Sequence, residues 1–303
     1  MTVAGLSGAG SRALGDRLAG PALLACTVVA VGTLVAVVGV LGVETGRFLT
    51  QVSPVRFVTE VDWLPVAEEP RFGVLPLLAA TAQIAVGAAV FGVPFGLMTA
   101  IYLEHYAGAR AERVLTAATA LLAGVPTVVY GYFALNFVTP AIRGRWPGTE
   151  AFNALSACLT VGLMILPTVV VLSRSALKSV PPALMEAGLA LGAGRGRVVA
   201  RVLVPAASGG IVAAVFLAMA RAVGETMIVT LAAGNQAQLT WSPLEGLRTL
   251  TAFIAQSSLG DAPTGTLQYG AFFAVSAVLL VVCWGLQASG RFLASRGRGA
   301  TAR

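Results

Sequence analysis

Six stretches of the chain carry no aspartate, glutamate, lysine or arginine: 21–43, 72–103, 114–142, 151–173, 202–220 and 262–290. Each is at or beyond the roughly 17–25 residues that a helix needs to cross the hydrocarbon core of a bilayer. Apolar positions run together in them, and the roughly 10-residue alternating strands of a membrane β-barrel are absent. The pattern predicts an all-α, polytopic transmembrane bundle of six spans. Polar segments between the spans set the expected organisation. A mobile tail at 1–20, rich in Gly, Ser and Ala, precedes a first span at 21–43. An acidic segment at 44–71 follows, then a transmembrane domain at 72–290 interrupted by a basic loop at 174–205, and a closing tail at 291–303.

Composition agrees with that picture. A mean hydropathy of +0.84 with 11% charged residues excludes an ordinary soluble domain, whose charged fraction is nearer a quarter. The net charge of +7 raises nucleic acid as a partner. No basic run alternates with aromatics on a polar surface, so a nucleic-acid face is not expected. Charge distribution gives a topology instead. With the N-terminus in the cytoplasm, segments 1–20, 104–113, 174–201 and the tail from 291 carry thirteen of the twenty Lys and Arg. Most acids, including Glu60, Asp62, Glu68 and Glu69, fall outside. This is the positive-inside bias, with both termini cytoplasmic.

Little in the chain suits covalent chemistry. Cys26, Cys158 and Cys283 lie inside apolar spans and read as small hydrophobes packed between helices. The single histidine, His105, has no cysteine partner, so no metal site is expected. The first span is too long for a signal peptide and reads as retained. Leu6-Ser7-Gly8-Ala9-Gly10 faintly resembles the signature of ABC ATPases, but the only lysine is Lys178 and the GxxxxGK[ST] phosphate loop is missing. Hydrolysis of ATP must therefore occur on another chain. Phe57 and Trp63, in the acidic segment, suit anchors at the membrane interface.

Two features carry functional expectations. Pro94, Pro126 and Pro167 fall within spans, with glycines beside the first two; a proline there frees a carbonyl and bends the helix, while small residues allow close helix contact. Arg221, if its helix begins near Ala207, sits about 21 Å into a core about 30 Å thick. Glu225 follows one turn later, expected on the same helix face. Ionisable groups at that depth are costly unless paired or facing water, so they read as functional. An Arg221–Glu225 pair could close or line an anion path, since the arginine fork donates two parallel hydrogen bonds to an oxyanion.

The loop EAGLALGAGRGRVVARVLVP at 186–205 places Glu186, Gly192 and Pro205 at the spacing of the EAA motif of ABC importer permeases. Pro181-Pro182 opens a helix, Gly192, Gly194 and Gly196 break it, and a second short helix is expected to end near Pro205. Beyond the loop, FGVLPLLAATAQIA (72–85), AIYLEHYA (100–107), LLAGVPTVVYGYFAL (121–135), GLMILPTVVVLSRSAL (162–177), ARAVGETMIVTLAAGN (220–235) and RTLTAFIA (248–255) resemble the phosphate-specific ABC importer permeases of the PstC type. The resemblance runs from about 55 to 290, and the long outer segment with Trp63-Leu64-Pro65 favours this subunit over its sister.

The resemblance implies the type I importer (MetI-like) permease fold and a non-catalytic subunit of a bacterial inner-membrane phosphate transporter. It implies four partners besides the lipid bilayer: a PstA-type permease, a dimer of a PstB-type ATPase that binds the ATP and magnesium, a PstS-type phosphate-binding protein, and phosphate itself. Glu186, Ala187, Gly188, Gly192 and Pro205 would then contact the ATPase, and Arg221 and Glu225 would fall on positions linked with phosphate passage. Gly188 stands where alanine is usual, and Val202 and Val204 replace Ile and Leu. Gly188 is expected to loosen its helix by up to about 1 kcal/mol relative to alanine. Alternatives are a permease for sulfate, molybdate or a phosphonate, or a membrane sensor of phosphate supply. An intramembrane enzyme lacks any nucleophile–base or metal constellation inside the spans.

Overall fold

The computed structural model describes residues 9–301 except 66, 261, 262 and 264, with side chains described from 19 to 295. The signature-like segment at 6–10 therefore lies largely outside the described residues. Four continuous apolar helices are long enough to span a membrane: Ala19–Gln51, Leu75–His105, Ala154–Lys178 and Leu267–Ser295. Two further spans are each a bent pair, Ala109–Gly124 with Thr127–Arg145 and Arg195–Ala206 with Ser208–Val223. The described residues thus hold four straight candidate spans, and six when each bent pair counts as one.

The first helix, α1 (Ala9–Gln51), overruns its expected span at both ends. Residues from 9 onward are helical. Cys26 faces outward on this helix, while Cys158 is buried and Cys283 is half-buried, so only the latter two are packed as expected. The segment after α1 is folded: a short helix α2 (Pro54–Thr59), then a hairpin of β1 (Trp63–Leu64) and β2 (Arg71–Phe72) paired Trp63 to Phe72.

Phe57 and Trp63 are not interfacial anchors. They are 4% and 2% exposed, in an edge-to-face cluster with Phe48, Phe72 and Phe253. Removing that much aromatic surface from water outweighs what a place in the headgroup region offers. The cluster seats the hairpin on the bundle, and Arg71 clips to Asp62 at 2.5 Å beside it.

The core of the bundle is α3 (Leu75–His105) laid along α7 (Ala154–Lys178). Gly92 permits that contact: a Cβ there would stand 2.6 Å from the Gly162 carbonyl oxygen. Asn153 caps α7 by accepting from the Ser156 N–H at 2.8 Å. Pro94 and Pro167 are carried inside continuous helices. Pro126 does more than bend its span. Val125 before it is extended (φ −69°, ψ 127°), because the proline ring crowds the preceding residue out of the helical region. The crossing breaks there by 93° into α4 (Ala109–Gly124) and α5 (Thr127–Phe133), followed by a π-helical turn at Ala134–Val138 and α6 (Thr139–Arg145).

At the end opposite the hairpin lie α8 (Ala183–Ala190), α9 (Arg195–Val198), a second π-helical turn at Val199–Leu203, and α10 (Val204–Ala206). The π turns precede Pro140 and Pro205, whose missing N–H removes one helix donor. After α10 the chain turns by 69° into α11 (Ser208–Val223), which packs against α7 and against the last helix, α14 (Leu267–Thr301). Two short helices, α12 (Met227–Ala232) and α13 (Leu250–Ser258), fill the hairpin end.

Candidate functional site: a broken span and a two-helix protrusion

Ser208 to Arg221 is about 20 Å of helix at 1.5 Å per residue, which puts Arg221 in the last turn of α11. Glu225 does not continue that helix. α11 stops at Val223 with Gly224 as its C-cap, so Glu225 is not one turn further along the same face. Glycine tolerates the helix end at little cost, and Thr226 leads into α12. α11 and α12 are therefore separated by a break at Gly224-Glu225-Thr226.

Arg221 and Glu225 flank that break and do different things. Arg221 is exposed on the bundle surface and its Nη1 donates to Thr168 Oγ1 on α7 at 2.9 Å. Glu225 is 8% exposed, and its Oε1 accepts from the N–H groups of Met227 and Ile228 at 3.1 and 3.2 Å. It satisfies two orphan donors of α12 and lies where the helix dipole favours negative charge. No ion pair joins Arg221 to Glu225 among the described residues. The carboxylate is spoken for by backbone, and the guanidinium remains open.

Three threonines hold the break in place, and none was singled out from the sequence. Thr251 donates to the Glu225 carbonyl at 2.6 Å, which makes Thr249, 3.0 Å away, the donor to Thr251. Thr249 also caps α13 by accepting from Ala252 N–H, and Thr81 of α3 accepts from Leu250 N–H at 3.0 Å. Threonines inside apolar runs look inert in sequence; their partners here lie as far as 169 residues away. Thr168 was equally silent, its one signal being a hydroxyl directly after Pro167.

The segment 183–206 has the expected form of helix, glycine turn and short helix. Glu186 is exposed in the first turn of α8, Ala187 is exposed beside it, and Gly192 takes φ +79°, a left-handed helix stop that glycine adopts freely. Leu184, Leu189 and Leu191 are 39%, 45% and 88% exposed, apolar side chains left open near Glu186 among the described residues. Pro205 is exposed in the first turn of α10. Gly188 corrects an expectation. A Cβ there would come 2.8 Å from both γ carbons of buried Val198, so the glycine fastens α8 onto α9 by close approach and does not loosen it.

This protrusion is tied to the bundle by cations. Arg195 lies over the Tyr106 ring, 5.6 Å from its centre. Tyr106 belongs to the turn between α3 and α4, and both sides of that turn are clasped by Arg174 of α7. Its Nε donates to Glu104 at 3.0 Å and its Nη2 donates to Glu112.

Residues 92–298 match the protein family described as binding-protein-dependent transport system inner membrane component. The chain is 34% identical to the probable ABC transporter permease protein YqgH of Bacillus subtilis, over 90% of this chain and 88% of that one. It is 29% identical to the phosphate transport system permease protein PstC of Mesorhizobium japonicum, over 79% of this chain and 78% of the relative. Among solved structures, a chain of a bacterial alginate ABC transporter in complex with an alginate pentasaccharide-bound periplasmic protein superposes with a TM-score of 0.64. It is 14% identical and covers 94% of this chain and 98% of that one.

Proposed function

Because the chain belongs to the family of binding-protein-dependent transport system inner membrane components, we propose that it is the PstC-type permease subunit of an ATP-driven importer of inorganic phosphate. The observation that carries the substrate class is Arg221, a guanidinium in the last turn of α11, held by one hydroxyl and paired with no carboxylate among the described residues. A planar cation with free N–H donors suits an oxyanion, and a single weak tether leaves the anion free to depart, as conduction requires. The relative named a phosphate permease supports phosphate among oxyanions.

In this reading the path forms against a PstA-type permease, and a PstS-type binding protein delivers phosphate at the hairpin end, where tight selection resides. A PstB-type ATPase dimer, holding ATP and magnesium, seats against Glu186, Ala187 and the exposed leucines of α8. Both termini then lie on the ATPase side of a bacterial inner membrane. ATP binding closes the ATPases, α8 to α10 move with them, and Arg195 and Arg174 pass the displacement to α3, α4 and α7. Such a device works only if its contacts differ between the two states, since equal contact in both would shift nothing. The test is radiolabelled phosphate uptake into proteoliposomes holding the four kinds of subunit, with excess sulfate, molybdate or phosphonate as competitor. Uptake unaffected by competitors supports phosphate; uptake of a competitor instead reassigns the oxyanion.

A further inference from the structure

Two cavities meet at Phe272 and Phe273 of α14. One, of about 700 Å³, lies at the hairpin end and is lined by Arg248, Phe253, Gln256, Gln268 and Tyr269 among others. The other, of about 740 Å³, is an almost wholly apolar groove between α1 (Leu34 to Leu41) and α14 (Phe272 to Cys283). A chamber with a polar side thus shares a wall with an apolar slot between α1 and α14.

The chamber is lined on one side by an arginine. Arg248 donates from Nη2 to Gln256 Oε1 at 2.9 Å, and its guanidinium carbon stands 5.0 Å from the centre of the Phe253 ring. Its Nε–H is buried with no partner, and no carboxylate pairs with it among the described residues. Burial holds its pKa below the usual arginine value, yet a guanidinium stays charged. A half-buried charge with one of five donors used is costly until an anion completes it.

The slot fixes what kind of anion. Phe272 to Cys283 is about 16 Å of helix, roughly half of a hydrocarbon core about 30 Å thick, so the slot matches one leaflet. Tyr269 lines the chamber one turn before Phe273, an amphipathic ring of the kind that suits a membrane interface. A free oxyanion needs neither the slot nor so large a chamber.

We propose that these joined cavities hold one anionic phospholipid from the leaflet at the hairpin end, its phosphate on Arg248 and one acyl chain between α1 and α14. The test is native mass spectrometry of the full-length protein purified with its co-purifying subunits from proteoliposomes of equal phosphatidylglycerol and phosphatidylcholine. Wild type is expected to retain phosphatidylglycerol about tenfold over phosphatidylcholine, the ratio that one charge-assisted contact supplies. Arg248→Gln abolishes the preference and Arg248→Lys restores part of it. Ser276→Phe, which fills the slot, loses both lipids with Arg248 intact. An unchanged preference in Arg248→Gln overturns the proposal, as does a wild type that retains no lipid. Displacement by excess inorganic phosphate, with Ser276→Phe unaffected, overturns it in favour of a free-oxyanion site. Should Arg248→Gln fail to assemble, phosphatidylglycerol with a photoreactive acyl chain decides the matter in wild type. Adducts at 34–41 and 272–283 support the lipid site, and adducts only elsewhere refute it.

Discussion

Arg221 of α11 donates to the hydroxyl of Thr168 on α7 at 2.9 Å, one residue past Pro167. The bond crosses between two helices and fixes the direction of the guanidinium while leaving most of its donors unused. Orientation and charge are therefore supplied by different residues, which makes them separable by mutation.

Arg221→Gln is expected to lower the initial rate of phosphate uptake by roughly 10- to 100-fold, the worth of a lost charge-assisted hydrogen bond. Assembly should persist, because the side chain is exposed and carries little packing. Thr168→Val removes only the tether and should cost less than about tenfold. Uptake and co-purification, measured side by side, check both; undiminished uptake in Arg221→Gln removes the residue from the path.

Glu225 should behave as a structural cap. Glu225→Ala leaves the Met227 and Ile228 N–H groups unsatisfied and is expected to cost about 1–2 kcal/mol. Glu225→Gln keeps an acceptor at the same place and should cost under about 1 kcal/mol. Thermal unfolding of the purified protein in detergent orders the two. Loss of uptake in Glu225→Gln at unchanged melting temperature would instead assign the charge a role in transport.

These residues also show how far the sequence reaches. Apolar runs without charge declare their spans, since length and hydropathy alone decide whether a helix is stable in a bilayer. The helix that carries Arg221 followed from the same arithmetic. The helix end at Gly224 did not, because one glycine is compatible with either continuing or stopping, and the threonines on α13 that pin the stop are distant in sequence. Trp63 and Phe57 failed for a related reason: an aromatic near a membrane surface is equally suited to the headgroups or to a tertiary cluster, and only Phe48, Phe72 and Phe253 decide it. Gly188 was read by propensity, whereas the neighbour that matters, Val198, arrives through the Gly192 turn.

Two substitutions on α8 separate docking from internal fastening. Glu186→Lys reverses an exposed charge that no residue of this chain pairs with among those described. It should leave the melting temperature unchanged while uncoupling ATP hydrolysis from uptake. Gly188→Val drives side-chain carbon into Val198, and overpacking of that kind costs about 1–3 kcal/mol. Hydrogen exchange across 183–203 should rise in Gly188→Val and not in Glu186→Lys.

Arg174 offers a graded series. Its partner Glu104 has a side chain 18% exposed, while Glu112 is 45% exposed. The more exposed pair is worth at most about 1 kcal/mol, so Glu112→Gln should be nearly silent. Glu104→Gln should cost more, and Arg174→Gln, which strands both acids, about 1–3 kcal/mol. Melting temperatures in that order, with faster exchange at 104–113, would establish the clasp; equal effects from the two glutamates would refute it.

Among the described side chains of α1, Phe48 alone is buried, and the helix lies against α14 with its other faces open. The family match begins at 92, well after this helix ends. The rest of the fold owes α1 one aromatic plug and one flank. With so few buried contacts, the helix adds little to the local stability of the bundle behind it.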